Sequence, residues 1–250
     1  DEGIDPVALE AAIKTHRPKL VYLIPTFQNP SGRTMSAPRR AAVAQILERN
    51  NVLLAEDDPY SELRFTDERP VPISADPRMR GRSVVLNTLS KLIAPGMRVG
   101  WVHGPEELLR AMTVAKQAAD FHTSSVNQLA AAHYLAHADL EMQLSRIRAV
   151  YRERRDAMVD QLATGLPAGS QMTKPEGGMF TWVQLPAGFD TEQLLPAMID
   201  EGVVYVPGAA FYPTCPDRGT MRLSFASNAP EVVVEGINRL CSVLQRNGPA

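Results

Sequence analysis

Three short apolar runs, each closed by a cluster of polar residues, constrain the fold of this chain more than any other feature. Leu20-Val21-Tyr22-Leu23-Ile24 stops at Pro25 and leads into Thr26-Phe27-Gln28-Asn29-Pro30-Ser31-Gly32. Val52-Leu53-Leu54-Ala55 runs into Glu56-Asp57-Asp58-Pro59-Tyr60, and Ser83-Val84-Val85-Leu86-Asn87 runs into Thr88-Leu89-Ser90-Lys91. Continuous apolar strands separated by helical patterns predict an α/β sheet buried on both faces. A fourth strand is expected over Met97-Arg98-Val99-Gly100-Trp101-Val102. Asp5-Pro6 predicts the start of a helix through about His16, with Asp5 as N-cap and proline at the first helical position. Ser36-Ala37-Pro38 predicts a second helix to about Asn50.

Beyond Pro105 the pattern changes. Helices are expected at about 105–119, 125–137 and 139–163, the last rich in Arg and Glu. Short strands follow over Gly178 to Leu185, Val203 to Val206 and Thr220 to Ser224, then a final helix from about Pro230 to Gln245. The expected organisation is a larger α/β domain over residues 1–138 and a smaller α+β domain over residues 139–250. Hydrophobic residues make up 44% of the 250, enough to bury a core. A formal net charge of −2 carries no basic excess, so nucleic acid is not an expected partner of this segment. No apolar run is long enough to span a bilayer, so no membrane partner is expected. Cys215 and Cys241 are the two cysteines, too few for a disulfide framework, so a reducing cytoplasm is the expected location. The opening Asp1-Glu2-Gly3-Ile4-Asp5-Pro6 has no signal-peptide pattern and reads as the middle of a longer chain.

In open α/β sheets ligands bind at the carboxyl ends of strands. Here those ends carry an Asn, an Asp, a Tyr, a Lys and, after Pro95-Gly96-Met97, an Arg at position 98. A lysine in a partly enclosed site can lose its proton and form an imine with a carbonyl. Pyridoxal 5′-phosphate needs such a lysine, a carboxylate beside its pyridine nitrogen, and donors for its phosphate. Lys91, Asp57, Arg98, Thr88 and Ser90 supply those parts.

At these residues the chain resembles the fold-type I pyridoxal-phosphate aminotransferases of class I/II, in the style of the α-aminoadipate/kynurenine aminotransferases. The resemblance rests on Pro25 to Gly32, Asp57-Asp58-Pro59-Tyr60 and Ser90-Lys91-Leu92-Ile93-Ala94-Pro95-Gly96-Met97-Arg98-Val99-Gly100. It continues through Glu176 to Trp182, Val206 to Phe211 and Met221 to Phe225. It implies an aspartate aminotransferase-like fold, with part of a three-layer α/β/α major domain and a small α+β C-terminal domain. It also implies transfer of an amino group between an α-amino acid and a 2-oxo acid, and a homodimer in the complete protein.

Roles follow by resemblance. Lys91 would hold the cofactor as a Schiff base and move the proton, and Asp57 would pair with the pyridine nitrogen. Asn29 and Tyr60 would bond the ring oxygen. Thr88, Ser90 and Arg98 would bind the phosphate, and Arg222 would clamp the substrate carboxylate, with Asn29 beside it. Catalysis would then rest on Lys91, Asp57 and Tyr60, and no metal is expected. Phe27, Tyr60, Phe180, Phe211 and Tyr212 suggest room for a large side chain. The segment that would precede Asp1 in this family supplies a phosphate-binding helix start and an aromatic that stacks on the ring, so the 250 residues alone are expected to hold the cofactor weakly or not at all. The competing expectation is the aminotransferase-like domain of a MocR-type transcription regulator, in which the same residues would sense the cofactor without turnover.

Overall fold

The computed structural model describes residues 2–248 and divides the chain into two compact units. The first takes residues up to Thr26 together with Arg33–Arg146, and the second takes Phe27–Gly32 together with residues from Ile147 on.

In the first unit, Asp5 caps helix α1 (Pro6–His16) by accepting hydrogen bonds from the Val7 and Ala8 amides at 2.7 and 3.3 Å. The chain turns out of α1 through Arg17 in the left-handed conformation and enters strand β1 (Leu20–Leu23). Helix α2 (Ala37–Arg49) then leads to β2 (Leu53–Asp57), β3 (Ser83–Thr88) and β4 (Gly100–His103). The strands lie in the order β1-β2-β3-β4, with the first three parallel and β4 antiparallel to β3. Helices α3 (Glu106–Asp120) and α4 (Ser125–His137) follow.

The core of this unit lies on one face of the sheet. Leu9 and Ile13 of α1 and Val43, Ala44, Ile46 and Leu47 of α2 pack there with Val52, Leu54, Ile73 and Met79. Val21 and Leu23 of β1 pack against them, whereas Leu20 and Tyr22, which alternate with them, are exposed. The expectation of a sheet covered on both faces therefore holds only for the centre of β2. Strand β1 alternates in burial, β4 is largely exposed, and α3 contributes no buried residue.

Two charged residues sit inside this core. Arg40 on α2 is 5% exposed; its Nε donates to the Met35 carbonyl at 2.8 Å, and its Nη2 donates to the Pro25 carbonyl at 2.8 Å and the Thr26 hydroxyl at 2.9 Å. Its Nη1 lies 3.9 Å from Glu56 Oε1, and Glu56 accepts from the Ile73 and Ser74 amides at 3.0 and 2.8 Å. A buried ion is tolerated only when it is paired and hydrogen-bonded: Nε and Nη2 are hydrogen-bonded, and Nη1, which is buried without a hydrogen bond, faces the Glu56 carboxylate.

The expected strand over Met97–Val102 begins later, at Gly100. Pro95–Met97 forms a single 3₁₀ turn and Arg98 takes the left-handed conformation at φ 52°. Proline fixes φ and lacks an N–H, so a tight turn replaces the first strand residues.

The second unit is built on an antiparallel sheet in the order β5-β6-β8-β7, from Gln171–Met172, Phe180–Gln184, Thr220–Ser224 and Val206–Pro207. It contains most of helix α5 (Leu140–Gly165), helix α6 (Thr191–Asp200) and helix α7 (Pro230–Arg246). Helix α7 presents Val233, Ile237, Leu240, Cys241 and Leu244 as one buried stripe at helical spacing. Cys241 is a free thiol whose pKa burial pushes up. The expected strand from Val203 is shorter than the apolar run, because the Gly202 and Val203 amides close the end of α6 on the Ile199 and Met198 carbonyls, both at 2.9 Å. Among the described residues no helix is long and apolar enough to cross a membrane.

Replacing Glu56 with alanine leaves the Arg40 guanidinium buried without its acid. We expect a loss of about 3–5 kcal/mol in unfolding free energy, read as a lower urea midpoint. A midpoint unchanged from wild type would show the pair to be dispensable.

Candidate active site

The three consecutive acids at the end of β2 have three different surroundings. Side chains alternate along a strand, so Glu56 points with Leu54 toward the core and is bonded there. Asp58 is buried and caps the following 3₁₀ turn (Ser61–Leu63), with the Ser61 amide 3.1 Å from its Oδ1 and the Ser61 hydroxyl 2.6 Å from its Oδ2. Asp57 lies on the opposite face from Glu56 and is partly exposed. Its Oδ2 accepts a hydrogen bond from the Tyr22 hydroxyl. Turn capping, the plain structural alternative for Asp57, is thus the task of Asp58.

Tyr22 reaches Asp57 because of the β1–β2 register. Tyr22 pairs with Ala55, and Asp57 is the next residue of β2 on the same face. The Tyr22 phenol pKa is raised, first by burial and then by its hydrogen bond to the Asp57 carboxylate and by that charge. Tyr60, three residues past Asp57, is 5% exposed.

Strand β3 delivers the next group. Its register sets Leu86 opposite Asp57, and the Asp58 amide donates to the Leu86 carbonyl at 2.9 Å. At the strand's end the Thr88 hydroxyl accepts from the Ser90 amide at 3.1 Å and lies 3.0 Å from Ser90 Oγ and 3.2 Å from the Val99 carbonyl. Thr88 therefore organises the turn itself, and the Ser90 hydroxyl proton is the one left to donate outward. Lys91 follows on this turn, partly buried, and its amine makes no hydrogen bond or ion pair among the described residues. Arg98 is exposed, and its one side-chain hydrogen bond among the described residues is from Nη1 to the Pro95 carbonyl at 3.3 Å.

The other two residues belong to the second unit, and the structure joins them. Arg222 on β8 donates from Nη1 to Asn29 Oδ1 at 2.7 Å, although 193 positions separate them in sequence. The Arg222 guanidinium carbon lies 4.3 Å from the Phe180 ring centroid and 5.1 Å from that of Phe211. Trp182 faces Phe211 edge-on at 5.8 Å. The loop carrying Asn29 is held by close approach: Gly32, at φ +67°, has its missing side-chain position 2.5 Å from the Phe180 carbonyl, so any Cβ would clash.

Among the sequence-derived residues, the structure brings together Asn29 with Arg222 and Thr88 with Ser90. Lys91 and Arg98 bond to none of the others among the described residues. Sequence reasoning missed Tyr22, whose signal was its parity: it alternates with the core-facing Val21 and Leu23 and carries a polar tip. It also took Phe180 and Phe211 for pocket lining rather than for partners of Arg222. Chemically, the first unit supplies an unengaged amine, an acid held from one side, and hydroxyl and guanidinium donors suited to an anion; the second supplies an arginine suited to a carboxylate.

Comparison with known proteins bears on these parts. The family profile described as "Aminotransferase class I and II" matches residues 1–240. The chain is 39% identical over 250 residues to an aromatic-amino-acid aminotransferase of Thermococcus litoralis, spanning 98% of this chain and 60% of that protein. The crystal structure of an alpha-aminoadipate aminotransferase from Thermus thermophilus, complexed with N-(5′-phosphopyridoxyl)-L-leucine, superposes with a TM-score of 0.93 at 36% identity, covering 98% of this chain and 63% of that one. A Bacillus subtilis protein named as an HTH-type transcriptional regulator is 30% identical over 226 residues, covering 90% of this chain and 46% of the regulator. The chain therefore spans less than two thirds of the length of these relatives.

The division of labour between neighbouring acids is testable by stability. Asp58→Ala removes both bonds to Ser61 and is expected to cost about 1–3 kcal/mol. Asp57→Ala is expected to change the unfolding free energy by less than about 1 kcal/mol. Equal losses in urea titrations of the two variants would contradict the assignment.

Proposed function

The chain belongs to the class I and II aminotransferases, and on that premise we propose that the whole protein is a pyridoxal 5′-phosphate-dependent transaminase acting on an α-amino acid and a 2-oxo acid. The observation that carries the proposal is, among the described residues, an unpartnered amine on the turn after β3 and, at the end of the adjacent β2, an acid held at one oxygen only. The Lys91 amine, on the turn after β3, has no partner among the described residues, and Asp57, at the end of β2, is relieved of capping by Asp58. The donor set suits the cofactor: an amine for its aldehyde, an acid for its ring nitrogen, and the Ser90 hydroxyl with the exposed Arg98 guanidinium for its phosphate.

Bound pyridoxal phosphate supplies the electron sink that makes a substrate's α-proton removable. Each residue of this chain then has a defined task. Lys91 accepts that proton on its amine and returns it one position away. Asp57 keeps a negative charge beside the pyridine nitrogen. Tyr60 and Asn29 would donate to the ring oxygen, and Ser90 and Arg98 would hold the phosphate, with Thr88 shaping the turn that presents Ser90 to it. Arg222, already bonded to Asn29, takes the substrate carboxylate. We assign residues 1–138 to the cofactor-binding major domain and 139–250 to the small domain, and we expect a cytoplasmic homodimer.

A second reading draws on the regulator relative, which shares the segment but devotes more of its length to other sequence. In that reading the same residues bind the cofactor and amino-group transfer is absent. A helix-turn-helix elsewhere in the whole protein would favour it.

The deciding measurement is an amino-donor screen on the whole protein with 2-oxoglutarate as acceptor, following the new amino acid. We expect turnover with at least one α-amino acid, and a loss of roughly 10³-fold or more in Lys91→Ala. Cofactor binding without turnover on any donor would move the assignment to the regulator reading.

A further inference from the structure

We propose that Tyr22 is a positioning residue for Asp57, a role that rests on the reading of Asp57 as the acid beside the cofactor's ring nitrogen. The phenol of Tyr22 donates to Oδ2 of Asp57, while Oδ1 takes no hydrogen bond among the described residues. The carboxylate is thus held at one oxygen and leaves the other for a partner that donates a proton.

Three observations support this role. The first is register. Tyr22 stands opposite Ala55, and residues two apart on β2 share a face, so the tyrosine reaches its acid diagonally across the strand pair. The second is exposure. Tyr22 is 53% exposed, whereas Val21 and Leu23 pack against the core. Its ring is not needed to fill space, and what distinguishes it from another strand-forming residue is its hydroxyl. The third is the neighbouring chemistry. Glu56 and Asp58 are each satisfied by two N–H or O–H donors within the fold, while the side-chain partner of Asp57 among the described residues is Tyr22.

A donor bonded to a carboxylate favours its charged form. An acid that must face a pyridine nitrogen gains a fixed orientation from such a partner. The phenol's own raised pKa keeps it protonated, and therefore a donor, throughout the neutral range.

The test uses the whole protein as wild type, Tyr22→Phe, Asp57→Asn and the double variant. Without cofactor, a phenolate absorbance titration is taken as the difference between each parent and its Tyr22→Phe derivative. We expect the Tyr22 signal to titrate above the ordinary phenol range in the wild-type background and to move down in the Asp57→Asn background. An identical titration in both would overturn the contact. With pyridoxal phosphate, equilibrium dialysis is expected to give a Kd roughly tenfold higher for Tyr22→Phe. The same substitution is expected to add nothing further on Asp57→Asn, with thermal midpoints unchanged. Wild-type affinity in Tyr22→Phe, or equal weakening in both backgrounds, would overturn the positioning role alone. An affinity that ignores Asp57→Asn would overturn the reading of Asp57, and this role with it.

Discussion

The first unit is organised by one buried cation. Arg40 reaches from α2 to the carbonyls of Met35 and Pro25, to the Thr26 hydroxyl and to Glu56. In doing so it ties the exit of β1 to the end of β2. A guanidinium removed from water needs nearly all its donors satisfied, and its planar fork sets the directions from which partners approach. The residues it holds directly precede the loop bearing Asn29 in sequence and adjoin Asp57.

The acids and the turns follow the same logic. Glu56, Asp57 and Asp58 carry the same kind of side chain, yet strand alternation and a 3₁₀ turn give them separate tasks. One is locked into the core, one caps backbone, and one faces outward. Thr88 and Ser90 divide in the same way, the first engaged by the turn and the second with a proton left over. Functional groups emerge here as what remains after the backbone has been satisfied.

The strands of the first unit were legible because their apolar runs are continuous and bounded by proline or charge. Helices α1 and α2 were legible because Pro6 and Pro38 lie at their starts. Helix α6 was missed because Pro196 interrupts it. The helix forms nonetheless, since Asp190 caps its start with the Glu192 and Gln193 amides at 3.0 and 3.2 Å, and Thr191 and Met198 are buried. Arg40 drew no reading from the sequence, because nothing local in Pro38-Arg39-Arg40 distinguishes the buried arginine from its neighbour. The pairing of Asn29 with Arg222 was accessible only through resemblance, as no periodicity relates positions so far apart. Tyr22 was hidden inside an apolar run, where an aromatic residue reads as packing.

The rings beside Arg222 have a consequence for hydration. With two aromatic rings close to the guanidinium, hydrocarbon takes up space that water would otherwise occupy, and hydration is favoured at its open edge. A flat anion approaching that edge would meet a cation whose ring-covered area is already shielded from solvent. A lysine in the same place would carry a full, roughly spherical shell of water and would lose the in-plane fork, so the two basic residues are not equivalent under Phe180 and Phe211.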